Sequence, residues 1–99
     1  MSLGSFFKSL LGSSENEQVK PTEPIDYEGF AIEAAPIKED GKYRSAGFIS
    51  GDLDGETRRI QFIRADQNAD LNTAIEHSLS KARQIVDEQG QSLLKKTHL

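Results

Sequence analysis

Residues 30–65 decide the fold: FAIEAAPIKEDGKYRSAGFISGDLDGETRRIQFIRA. Phe30, Ile32 and Ala34 alternate with Ala31, Glu33 and Ala35, the period of two expected of a strand. Pro36 ends or bulges that strand, because proline cannot donate to a ladder. Asp40-Gly41 is a turn, glycine supplying the positive φ at little steric cost. A second strand follows from about Tyr43 to Ser50. Gly51–Gly55 form the next turn, with Asp54-Gly55 at its tip, and a third strand runs from about Thr57 to Ala65. Two successive hairpins make an antiparallel meander.

Working outward, Asp70 reads as a helix N-cap, its carboxylate placed to accept from the free N–H groups of the first turn. Leu71, Ala74, Ile75, Leu79, Ala82, Ile85 and Val86 follow at helical spacing, and Gly90 fits the residue just beyond the helix. Leu93 and Leu94 either extend that apolar stripe or fold back. The expected fold class is α+β: a three-stranded antiparallel meander with one C-terminal helix packed on it (β-β-β-α), in a single domain at 25–99. Residues 1–24 form a short amphipathic N-terminal segment and a flexible linker. Leu3, Phe6, Phe7, Leu10 and Leu11 share one helical face, Gly12 to Ser14 stop it, and 15–24 are almost devoid of apolar residues.

Composition excludes several classes. The 99 residues contain no Cys, which removes disulfide frameworks and thiolate metal sites. No apolar run is long enough to span a membrane, so no integral membrane association is expected. The flank before Leu3 lacks positive charge, Lys8 and Ser9 interrupt the apolar stretch, and no small-residue cleavage site follows. The expectation is a cytoplasmic protein. As a membrane-surface helix, residues 3–11 bring one Lys, which attracts anionic lipid only weakly.

No catalytic constellation is present. Gly51–Glu56 lacks the spacing of a calcium loop, His77 and His98 have no carboxylate at ligand spacing, and the serines lack a nucleophile elbow. The expected protein is not an enzyme and uses no cofactor or metal. No helix-turn-helix pattern occurs. The start of the last helix, Asp70-Leu71-Asn72-Thr73, lacks the basic residues with which double-stranded RNA-binding domains grip phosphates.

Arginine is the one unevenly distributed residue. Arg44 is on the second strand, and Arg58, Arg59 and Arg64 are on the third. Such a sheet can enter a major groove or grip phosphates. Alternatively these guanidiniums pair with Glu28, Glu33 and Glu56 across strands. The net charge of -4 opposes simple coating of nucleic acid. One helix covers one face of the sheet, so the other face, with Phe48 and Ile63, is open to a second copy, to a partner or to residues 3–11. A homodimer through that open face is expected.

The blocks Gly29-Phe30, Pro36-Ile37, Tyr43-Arg44, Ala46-Gly47, Phe62-Ile63-Arg64-Ala65-Asp66 and Asp87-Glu88-Gln89-Gly90 give the chain a resemblance over about 25–94 to the HlyU family. These are small proteobacterial proteins named as transcriptional activators of haemolysin expression. The resemblance implies a role in regulating transcription, directly on DNA or through a regulatory protein partner. It adds Tyr43 and Asp66 to the arginines, so the candidate nucleic-acid or partner-binding set is Tyr43, Arg44, Arg58, Arg59, Arg64 and Asp66.

Overall fold

The computed structural model describes residues 17–97 and 99. The apolar segment 3–11, the Gly/Ser break after it and His98 lie outside the described residues.

Three two-residue turns organise the chain. Glu28-Gly29, Asp40-Gly41 and Asp54-Gly55 each hold both central residues at positive φ, between 50° and 86°. That pattern is the hairpin turn whose twist matches the strands it joins. The strand segments are β1 (Glu17–Gln18), β2 (Ile25–Tyr27), β3 (Phe30–Ala34), β4 (Ile37–Glu39), β5 (Lys42–Leu53) and β6 (Glu56–Asn68). All pairings are antiparallel. β5 is the spine. One of its edges pairs with β4 and then β3, which are separated by Ala35-Pro36, and the other edge pairs with β6.

The expected class, antiparallel sheet plus one C-terminal helix, is present, but three strands are too few. An additional outer row is made by β1 and β2. Residues within the expected linker bind the sheet here: Glu17 and Gln18 pair with Lys38 and Ile37, and the Val19 and Thr22 N–H groups donate to Pro36 O and Ala34 O, each at 2.9 Å. Backbone bonds hold this row, so it needs no apolar alternation to form. Its turn was also hard to read, because Glu28, unlike Asp or Asn, seldom adopts positive φ.

The helix α1 (Leu71–Gln89) starts where expected, the Asp70 side chain accepting from the Thr73 N–H at 3.0 Å. Gly90 follows with positive φ, and a short 3₁₀ helix (Gly90–Lys95) folds Leu93 and Leu94 back, fully buried, onto the core. α1 lies mainly over β3 and β5. Cross-strand rows explain the core. Ile32, Ile49 and Ile60 stand opposite one another and are buried, as are Ala34, Gly47 and Phe62. Ala74, Ser78, Ala82, Ile85 and Val86 of α1 close over them. Each isoleucine so buried contributes about 1.5–3 kcal/mol. Phe48 and Ile63 fall on the opposite face, with Glu33, Arg59 and Gln61. At the far end, the Tyr27 hydroxyl donates to the Asp87 carboxylate at 2.8 Å and ties β2 to the helix.

Gly47 lies beneath the Phe62 ring, where an added Cβ would sit 2.9 Å from two ring carbons and closer still to the Glu33 carbonyl. Backbone cannot move aside without breaking the β3–β5 ladder. Gly47→Ala is therefore expected to destabilise the fold by about 1–3 kcal/mol, the usual cost of overpacking, read as a lower urea midpoint at unchanged slope.

Candidate functional site

Alternation along β6 is regular, with even-numbered residues facing α1 and odd-numbered residues facing away. This divides the candidate residues in two. Arg59 lies on the open face and Arg44, opposite Ile37 and Gln67, joins it there. Arg58, Arg64, Asp66 and Tyr43, which stands opposite Asn68, are on the helix side.

Both open-face arginines are paired. Arg59 donates to Glu33 Oε1 at 3.0 Å and stacks its guanidinium 3.8 Å from the centre of the Phe48 ring. Arg44 binds Glu39 Oε1 at 2.7 Å and reaches the Arg64 and Ala65 carbonyls. The Glu39 carboxyl is held below its ordinary pKa by that hydrogen bond from Arg44. Cross-strand pairing was expected with Glu28, Glu33 and Glu56, but only Glu33 serves, and Glu39 takes the other arginine. Arg58 and Arg64 form no ion pair with the described residues.

The helix side of the same strands carries a polar cluster. The β5–β6 register breaks between Arg44 and Ala46. Ala46 faces Ala35 on the opposite edge of β5, its carbonyl accepting from the Ala35 N–H at 2.9 Å, but the Ala35 carbonyl accepts from the Gln18 amide and leaves the Ala46 N–H without a ladder partner. Here the Ala46 N–H donates to the buried Ser78 hydroxyl of α1 at 3.1 Å. Beside it, the Asn68 amide nitrogen donates to Tyr43 O and to Ser45 Oγ, at 3.2 and 3.3 Å. Ser45 Oγ donates to Asp66 Oδ2 at 2.7 Å. With the Asn68 amide so oriented, its oxygen accepts from His77 Nδ1 at 2.6 Å, which places a proton on Nδ1. The Ser45 bond, with help from the Asp66 backbone N–H and then from Lys81 and His77, holds the Asp66 pKa below its usual value against the effect of burial.

Asp66, Asn68 and His77, with Gln67, Ser80 and Lys81, line a cleft of about 340 Å³. Asn68 and His77 bond each other there, Asp66 is held by Ser45 and Gln67 by Glu39, and among the described residues no cluster of metal-ligating groups forms. Of the predicted set, Asp66 and Tyr43 thus meet at the bulge, Arg44 and Arg59 are engaged by carboxylates, and Arg58 and Arg64 stand at separate places on β6. Sequence reasoning missed Ser45, Asn68, His77 and Ser78 as a unit. One signal was available: Ser78 occupies the apolar helix stripe between Ala74 and Ala82, four residues from each.

The model of the family described as transcriptional activator HlyU matches residues 5–94. The chain belongs to the HlyU family. No curated protein and no solved structure matches it. This makes the chain a member of a transcription-regulator family rather than of an enzyme family. For a HlyU-family chain the matched span takes in both the Arg-bearing strands and the whole of α1. No helix among the described residues is long and apolar enough to cross a membrane.

Two outcomes follow from the bulge cluster. Ser78→Ala strands the Ala46 N–H in the core and is expected to cost about 1–3 kcal/mol in urea unfolding. Asp66, with its lowered folded-state pKa, contributes stability that is complete above the ordinary carboxylate pKa near about 4 and is lost as the pH falls through the lowered value. Asp66→Asn is expected to flatten that acid limb, measured as the urea midpoint against pH, and identical limbs in the two proteins would refute it.

Proposed function

We propose that this HlyU-family protein regulates gene expression in the cytoplasm through a protein partner rather than by gripping DNA with its own sheet. The observation that carries the reading is the neutralisation of the open face, where Arg44 and Arg59 are each closed by a glutamate at 2.7 and 3.0 Å. DNA affinity comes chiefly from cations that displace counterions from phosphates. An arginine already bound to a carboxylate supplies little of that, and the overall charge of -4 adds repulsion.

Tyr43, Asp66, Arg58 and Arg64 are then the polar positions offered to a partner on the helix side of the sheet. One observation favours a second reading, direct contact with DNA: Arg58 and Arg64 have no carboxylate partner among the described residues. They lie on one face of β6, six residues and so roughly 20 Å apart.

Fluorescence anisotropy with a labelled duplex separates the two. The expected outcome is no binding at low salt for the wild-type protein. Binding that weakens steeply between about 50 and about 200 mM salt, and that is reduced in Arg58→Ala and Arg64→Ala, would establish the direct reading instead.

A further inference from the structure

β6 forms the outer edge of the sheet on the side away from β3 and β4. It runs for 13 residues, Glu56–Asn68, with no Pro, Gly or Lys. Natural edge strands are usually short or blunted by proline, lysine or a covering element, because a row of free N–H and C=O groups invites another strand. α1 does not cover this edge, since it packs chiefly on β3 and β5. Leu99 hydrogen-bonds along it, donating to Gln61 O at 2.8 Å and accepting from the Ile63 N–H at 3.4 Å. The backbone groups of Gln61 and Ile63 therefore point outward and pair with an extended segment. The Ile63 side chain is 44% exposed beside them.

We propose that this edge pairs with β6 of a second copy, antiparallel and in full overlap, displacing the single-residue contact of Leu99. Self-complementarity selects the occupant and the register. Overlapping Glu56–Asn68 with itself sets Gln61 opposite the partner's Ile63, and the two-fold axis repeats the pair. On the helix side the same register sets Arg58 opposite the partner's Asp66, twice by symmetry. Arg58 has no ion pair with the described residues, and the Asp66 carboxylate, which accepts from Ser45 and from its own N–H, has acceptor sites left for a guanidinium. Opposite charges across strands stabilise a pairing and like charges oppose it. Sliding to a neighbouring register sets Arg58 against the partner's Arg64 in one direction and against the partner's neutral Asn68 in the other. The full overlap is thus favoured over both, and it joins two sheets without using their open faces. The pairing draws on Arg58 and Asp66, two of the positions offered to a regulatory partner above, but it does not rest on that reading.

The chain has no native Cys, so introduced thiols report the register cleanly. Gln61→Cys and Ile63→Cys proteins, distinguished by an isotope label, are oxidised separately and as an equal mixture. Directly opposed positions bridge readily and diagonal ones poorly, so the mixed disulfide is expected to form roughly tenfold faster than either homodisulfide. Light scattering of the unmodified protein should rise from the monomer value of 11.0 kDa towards twice that with concentration. Ile63→Pro, which removes an outward N–H that β5 does not use, should stay monomeric. A mass of 11.0 kDa at every concentration from micromolar to millimolar overturns the proposal. So does a dimer that cross-links without preference for the 61–63 pair, which would place the second copy elsewhere, such as on the open face.

Discussion

The Ala46 N–H has one acceptor, the Ser78 hydroxyl, and the seating of helix on sheet depends on that bond. The Ala35 carbonyl across from it accepts from the Gln18 amide instead, and a buried donor without a partner is costly. Ser78 answers it from the middle of α1 and so fixes the helix along its axis. Ala74 and Ala82, one turn either side, are small enough to let the helix approach closely, and both are fully buried. Gly47 then accommodates Phe62, and Ser45, Asn68, His77 and Asp66 close the polar chain around the bulge. The polar cluster and the apolar core are therefore two halves of one packing solution.

Charge is organised by the same geometry. Alternation along β6 puts Arg59 on the open face and Arg58 and Arg64 on the other. On the open face the arginines are already satisfied, and the guanidinium of Arg59 also shields Phe48. The face therefore has less apolar surface, and less available positive charge, than the residue types suggest. Arg58 and Arg64, which form no ion pair with the described residues, lie on the edge strand β6. Membership of the HlyU family supplies the regulatory context.

Several elements were legible from local chemistry. Asp40-Gly41 and Asp54-Gly55 carry their turn type in two residues, and Asp70 with the apolar spacing after it defines the helix. The family blocks, including Phe62-Ile63-Arg64-Ala65-Asp66, were legible as well. The outer row β1 and β2 was not, because hydrogen bonds to Ala34 and Pro36 hold it and side-chain pattern does not. Nor was the candidate site fully visible. Arg44 chooses Glu39 because β4 brings that residue across from Lys42, a fact of register rather than of composition.

The sequence by itself determined the local conformations: where the chain reverses, where the helix begins, and which residues alternate. Those choices are made by φ preferences, capping and periodicity, which act over a few residues. Only the tertiary structure decided which face of each strand meets the helix, where the β5–β6 ladder breaks, and which carboxylate neutralises which arginine. A shift of one residue in register reverses every side chain of a strand, and that shift is set by contacts between residues far apart in the chain.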